Sequence, residues 1–387
     1  MTADRVARVA ELQDRWSQDQ LVAGIPLGGW LRILARQGFR VSPAYLHRLL
    51  SISALALPST LLGALESVLY GRRVAAQAID PVPLFIVGHW RSGTTHLHNL
   101  IGKDPRHTYC TVYQAVFPHH FLLTGRVGPR LLRGALSETR TYDAVKQGWH
   151  EEAEDEIALI KLTKGLSFYG ALMFPDAAED FERYVDFRDA PPEERRRWQD
   201  ALDHLIRKLM VASGGNRVVV KSCPHTARIP LILERYPTAR FVHIHRHPAR
   251  VFASMLHMRE KVDWENFLQR PTEAFVSDRW DLTARLGERV FSRLAEDRAR
   301  IPEGHLVEIA YDDLCGDEVA RVRDLYERLD LGGWDAYEPH LRAYVDSLQG
   351  YQRNRLPLDE ALLDYVYDRW RLVYDTWGYP RSPDGHL

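Results

Sequence analysis

The sequence predicts an α/β fold: a central, mostly parallel sheet with helices on both faces in three layers, plus a helical N-terminal region (1–82) and a helical insertion (about 104–215). Three observations predict it. Four short apolar runs, LFIVG (84–88), RVVVK (217–221), RFVHIH (240–245) and HLVEIAY (305–311), have the continuous pattern of strands buried on both faces. Helical patterns separate them, at 227–235, 249–259 and 275–300. The first run ends in a glycine-containing turn followed by a helical pattern from Thr94. Alternation of this kind implies parallel strands joined by right-handed crossovers.

Composition is that of a globular protein with a full core: 387 residues, 45% hydrophobic and 27% charged. A net charge of −1 excludes a general nucleic-acid binder, which carries a strong basic excess. Cys110, Cys223 and Cys315 are widely spaced, with no CxxC pair and no Cys/His metal spacing. They read as reduced thiols of a cytoplasmic protein.

Along the N-terminal region, Val6, Val9, Leu12 and Trp16 fall at helical spacing. Gly24, Pro26, Gly28 and Gly29 then break the pattern, which resumes over 30–50. The most apolar stretch is SISALALPSTLLGALESVLY (51–70). Pro58 in its middle and Glu66 near its end count against a spanning helix, which needs about 20 apolar residues. Two readings stand: a pair of buried or groove-lining helices, or a surface that touches a membrane or a lipid-like substrate. Within the insertion, PPEERRRW (191–198) reads as a helix start with a solvated charged face. The closing RSPDGHL reads as a frayed tail.

The segment 88–95, Gly-His-Trp-Arg-Ser-Gly-Thr-Thr, joins the first strand to its helix. The first amides of a helix lack intrahelical acceptors and, with the helix dipole, form an anion site. Gly88 and Gly93 allow close backbone approach to a phosphate. Ser92, Thr94 and Thr95 add hydroxyls, and Arg91 adds a planar, permanently charged fork. The spacing is that of GxxxxGK[ST], the P-loop of ATP and GTP sites, but no lysine follows Gly93. The fold is therefore P-loop-like without the usual β,γ-phosphate lysine.

A second anion motif lies in FVHIHRHPARVFASM. Arg246 closes a buried strand, where open α/β sheets bind ligands. Pro248 suits the first helical turn, and Ser254 stands about two turns further on. His243, His245, His247 and Arg250 crowd the same region.

With Arg91-Ser92-Gly93-Thr94-Thr95 and the pair Arg246 and Ser254, eight residues apart, the chain resembles the sulfotransferases that use 3′-phosphoadenosine-5′-phosphosulfate (PAPS). The arginine form of the loop is closest to the tyrosylprotein and bacterial branches. The resemblance covers roughly 83–375 and is specific at these motifs and around Lys221. It implies that residues 91–95 hold the 5′-phosphosulfate, that Arg246 and Ser254 hold the 3′-phosphate, and that no metal is needed. It further implies that Arg91 stabilises the bridging oxygen. Lys221, which ends its strand and begins KSCPH, matches a lysine that contacts the transferring group, with Ser222 a weaker companion. Tyr351, Arg353 and Arg355, in GYQRNRLP, match a basic and aromatic run near the 3′-phosphate.

Transfer to a hydroxyl also needs a general base. The tyrosylprotein enzymes carry a glutamate about twenty residues after the loop arginine, and TYCTVYQAVF here has none. The candidates are Glu152, Asp155 and Glu156 of HEEAEDEIAL, where Glu152 could share a helical face with either of the others. A solvated helix start is the competing reading. His119 and His120 are rival bases.

The leading function is transfer of the sulfuryl group from PAPS to a hydroxyl of a small-molecule or lipid-like acceptor, hydrophobic or phenolic. A P-loop-like nucleotide kinase and a non-catalytic binder of PAPS or adenosine 3′,5′-bisphosphate are the alternatives.

Overall fold

The computed structural model describes residues 21–136, 147–348 and 356–383. They form two compact units. One comprises the chain through Ala78 with Cys110–Gly214 and Met258–Arg279; the other comprises Ile79–Tyr109, Gly215–His257 and the chain from Trp280 onward. The helix expected around Val6 to Trp16 lies outside the described residues.

The second unit holds the sheet. Its strands are β1 (Leu84–Val87), β2 (His107–Tyr109), β3 (Arg217–Lys221), β4 (Arg240–His245) and β5 (Leu306–Ala310). All pairings are parallel, in the order β2-β3-β1-β4-β5. The α/β architecture is thus the one the apolar runs predict. β1 is central because LFIV is apolar at every position and buried at every position. Side chains alternate between its faces. Leu84 and Ile86 pack with Leu97, Leu100, Val242 and Ile244. Phe85, between them in sequence, stacks on Phe241 at 5.5 Å and packs against Tyr236. β2 was not expected: three residues, HTY, at a sheet edge are too few to show a period, and they sat inside the region read as helical.

The first unit is helical. Its helix Pro192–Ser213 starts on a proline with Glu193 and Glu194 in the first turn, as PPEERRRW predicts, and it stops at a left-handed Gly214. The pattern read over 30–50 is two elements: helix Leu27–Arg36 ends before Gly38 and Phe39, both at positive φ, and a new helix starts at Leu46. The stretch 51–70 is also corrected. It belongs to one helix, Leu46–Ala76, that continues through Pro58. Pro58 is exposed, so the bond its missing N–H cannot make is lost on the face away from the packing. Nor is the helix simply buried. Among the described residues, Pro43–Ala76 is the stretch long and apolar enough to cross a bilayer, and 22% of its apolar window is buried.

Candidate active site

The loop after β1 is held by its neighbours before any ligand is considered. The Gly88 N–H donates to Thr226 Oγ1 (2.7 Å), and the Thr226 hydroxyl donates back to the Gly88 carbonyl (3.1 Å). A Cβ on Gly88 would lie 2.5 Å from the Ile244 carbonyl oxygen. One on Gly93 would lie 2.2 Å from the Tyr311 ring. Gly93 is left-handed (φ +106°) and caps helix Thr94–Ile101. Both glycines are therefore demanded by packing, in addition to the phosphate approach expected of them. Ser92 is buried, and its hydroxyl donates to the His89 carbonyl at 2.7 Å, closing the turn on itself. Thr94 is buried with its hydroxyl 3.8 Å from Cys223 Sγ, while Thr95 is half-buried.

Arg91 has φ +67°, a left-handed conformation that costs a non-glycine residue about 1–2 kcal/mol. Its Nε donates to Ser254 Oγ at 2.9 Å. Residues 163 positions apart, picked out from two separate motifs, thus meet directly. Ser254 sits on helix Pro248–Asn266, whose first residue is the proline expected there. The Arg246 guanidinium lies over the Tyr311 ring, 4.4 Å from its centroid. Tyr311 consequently touches both anion motifs, Gly93 on one side and Arg246 on the other.

Register places Lys221 beside Ile86, at the carboxyl end of β3 next to β1. Lys221 and Ser222 are both buried. Three segments surround the carboxyl ends of β1, β3 and β4: 81–103, 214–233 and 236–259. None contains an aspartate or glutamate. Arg91, Lys221 and Arg246 therefore have no carboxylate within their own segments, and their cationic side chains suit a polyanion.

The histidines have other duties. His243 Nδ1 pairs with Glu308 Oε1 (3.1 Å) and His245 Nδ1 with Tyr379 OH (2.8 Å), and His247 Nε2 donates to the Pro380 carbonyl (2.8 Å). His245 also stacks on Trp377 at 4.9 Å. These contacts tie β4 to residues 377–380. His89 stacks on Phe291 at 5.1 Å, and burial pushes its pKa down to about 4, so it is neutral at pH 7.

The carboxylate cluster belongs to the helical unit, where it is not a solvated face. Glu152, Asp155 and Glu156 are all buried. Glu152 precedes the helix, in an isolated bridge with Thr111, so the shared helical face expected for it does not form. Glu154 caps helix Asp155–Leu162 and accepts from Tyr169 OH (2.5 Å). Glu156 accepts from Ser167 Oγ (2.6 Å). In the same unit, burial and the nearby Lys208 ammonium lower the pKa of His119 to about 3 and of His120 to about 4.

Tyr351, Arg353 and Arg355 lie outside the described residues. The three cysteines are free, Cys110 and Cys223 buried. Cys315, His96 and Glu318 bring ligand atoms within 4.8 Å of one another, the one such group among the described residues. Sequence reasoning missed Tyr311 and Thr226. The first was read as the last residue of a strand, and nothing local marks the second, whose partner is 138 positions away.

A strand–loop–helix whose arginine meets the helix after the neighbouring strand is an α/β arrangement of the kind used by group-transfer enzymes with a polyanionic donor. The chain matches the sulfotransferase family model over residues 83–336 and belongs to the sulfotransferase family. It is 32% identical, over 97% of its length and 96% of theirs, to the omega-hydroxy-beta-dihydromenaquinone-9 sulfotransferases Stf3 of Mycobacterium bovis and Mycobacterium tuberculosis. Two solved structures share its fold at 18% identity. They are sulfotransferase STF1 of Mycobacterium tuberculosis (TM-score 0.63, 96% of this chain and 98% of that one) and STF9 of Mycobacterium avium (0.65, 97% and 96%). The protein is a transferase that moves a sulfuryl group; neither the kinase nor the non-catalytic alternative is favoured.

Proposed function

We propose that the protein transfers the sulfuryl group of PAPS to a hydroxyl of an apolar, lipid-like acceptor. The observation that carries the donor assignment is the 2.9 Å bond from Arg91 to Ser254, with Tyr311 packed against both Gly93 and Arg246. It supports reading the two motifs as one cationic cradle. In this reading residues 91–95 hold the 5′-phosphosulfate, and Arg246 and Ser254 hold the 3′-phosphate. The donor supplies the sulfuryl group and departs as adenosine 3′,5′-bisphosphate.

The residues do the rest by positioning and charge. Transfer of this kind runs through a loose, in-line transition state that needs little covalent help. Arg91 and Lys221 face the charge that develops on the bridging oxygen as its bond to sulfur breaks, in place of a metal. The acceptor oxygen bonds to sulfur, and its proton passes to a carboxylate among Glu152, Asp155 and Glu156. An apolar acceptor is supported by the relatives that act on a menaquinone derivative and by the apolar surface of helix Leu46–Ala76. A cytoplasmic setting fits three free cysteines.

The test is thermal. Adenosine 3′,5′-bisphosphate at about 100 times its Kd should stabilise the protein by about 2.7 kcal/mol without Mg²⁺. Stabilisation by MgATP alone would refute the donor assignment.

A further inference from the structure

Helix Leu46–Ala76 is built inside out. Its inward stripe is Arg48, Ile52, Ala56, Ser59, Glu66 and Val74, all buried. Two of those six are charged, and each is satisfied within the helical unit. Arg48 Nη1 donates to the Trp264 and Phe267 carbonyls and its guanidinium lies over Tyr45 at 4.6 Å. Glu66 pairs with Lys208 and accepts from the Leu123 N–H. The outward stripe is the apolar one. Leu50, Leu57, Leu61, Leu65 and Val68 follow one another at spacings of seven, four, four and three, the helical repeat of a single face. They are exposed by 66, 55, 73, 47 and 80%. A soluble helix turns the opposite faces to core and water.

A second, separate segment lies beside this helix. Phe121–Thr124 packs against it, anchored by the bond from Leu123 to Glu66. The chain then exposes Arg126, Val127, Arg130, Leu131 and Arg133. Residues 105–136 contain no acid, and Glu66, buried, is the only acid in 21–79. Arg72 and Arg73 are exposed at the far end of the apolar stripe. Large apolar side chains flanked by arginines, with no exposed carboxylate among them, are the makeup of a surface that lies in the interface of an anionic bilayer. The helix does not span: its inner face is occupied by packing against Pro192–Ser213, which supplies Lys208.

We propose that the outer face of Leu46–Ala76, together with the basic segment 126–133, docks the enzyme in the plane of an anionic lipid bilayer. The stripe from Leu50 to Arg72 is about 33 Å long at 1.5 Å per residue, enough to lie along the headgroup boundary. This deepens the reading of a lipid-like acceptor: an enzyme seated on the bilayer meets such an acceptor where it dissolves. It rests on that reading only for its purpose, since vesicle binding is measured without donor or turnover.

The test uses the full chain and sedimentation with vesicles of phosphatidylcholine and phosphatidylglycerol in equal parts, against phosphatidylcholine alone. The wild type should sediment with the anionic vesicles and lose binding as salt rises. Leu61→Asp with Val68→Asp should bind at least about tenfold more weakly, since burying a leucine or valine is replaced by burying a charge. Arg126→Ser, Arg130→Ser and Arg133→Ser together should remove most of the preference for anionic lipid. Retained thermal stabilisation by adenosine 3′,5′-bisphosphate checks that the variants are folded, and its absence in the wild type would sink the donor assignment while leaving docking standing. Should the aspartate variant not fold, Val68→Trp is the milder probe: the difference between its emission and that of the wild type, which carries ten tryptophans, should shift to the blue and be quenched by brominated lipid only when vesicles are added. Docking is refuted by a wild type that does not sediment. It is equally refuted by an aspartate variant that binds as the wild type does. A tryptophan already blue in buffer, or a wild-type dimer that the aspartates split without any vesicle binding, would assign this face to protein contact instead.

Discussion

Arg246 is the residue on which the donor assignment can be separated from general anion binding. Its guanidinium is held by stacking on Tyr311, 4.4 Å away, and it is placed by the end of β4. Charge-assisted hydrogen bonds are worth about 1.5–3 kcal/mol. Arg246→Ala should therefore weaken adenosine 3′,5′-bisphosphate by about 10–100-fold, with little effect on adenosine 5′-phosphate. Titration calorimetry with both nucleotides checks this, and equal losses would move the 3′-phosphate elsewhere. At this scale the sequence was informative where chemistry is local. Arg91, Arg246 and Ser254 are marked by fixed spacings next to strand ends. Tyr311 and Thr226 are not, because what makes them matter is a contact with Gly93 or Gly88 that only the folded sheet supplies. The positive φ of Arg91 was invisible for the same reason.

At the scale of elements, burial separates what pattern alone could not. Four strands were legible as short apolar runs; β1, β3 and β4 are covered on both faces as such runs imply, whereas β5, at the sheet edge, is buried only at alternate positions. β2 has three residues and no run, so it was missed. Helix Leu46–Ala76 was readable as apolar but not as one helix, since Pro58 carries the same letter whether it breaks a helix or sits on its open side. The segment 151–156 reads in sequence like a charged helix start; in the fold, Glu152, Asp155 and Glu156 are taken out of water. Buried carboxylates are costly and are kept where they are bonded or used. At least one of Glu152→Gln, Asp155→Asn and Glu156→Gln should lower kcat by about 10²–10⁴ while leaving adenosine 3′,5′-bisphosphate binding nearly intact. For Glu156, bonded to Ser167, glutamine preserves the shape of the contact, so a kinetic loss there would report charge. If all three variants turn over normally, the base lies elsewhere, and His119 and His120 are next.

For the whole molecule, the sum of its buried bases predicts how it fails in acid. Burial lowers the pKa of His89 and His107 to about 4 in the sheet-bearing unit, with His245 lowered to about 4 by burial and then by His243. In the helical unit, burial and then the Lys208 ammonium lower His120 and His204 to about 4 and His119 to about 3. Lys161, wholly buried and bonded to the Ala115 and Ile157 carbonyls, is lowered to about 7. The unfolded chain therefore binds more protons than the folded one at every pH between these values and the ordinary ones. Stability rises with pH wherever that holds. Above about pH 6.5 the histidines are neutral in both states and cost nothing. As pH falls from there toward about 4, each is protonated first in the unfolded chain, and each well-buried one withdraws on the order of 1–3 kcal/mol. Asp104 adds to the loss at the acid end. Although burial alone would raise its pKa, its bonds from Arg106 and the charge of His107 hold it below the usual carboxylate range. Denaturant midpoints measured at pH 7.5 and pH 5.5 should differ, the lower pH being less stable by several kcal/mol, with the slope reporting more than one proton. Because both units contain such histidines, circular dichroism and tryptophan fluorescence should lose stability over the same pH range. A flat profile between pH 7.5 and 5.5 would mean that these imidazoles are hydrated in the native state, and that the core of the sheet-bearing unit is wetter than the packing of His89 on Phe291 implies.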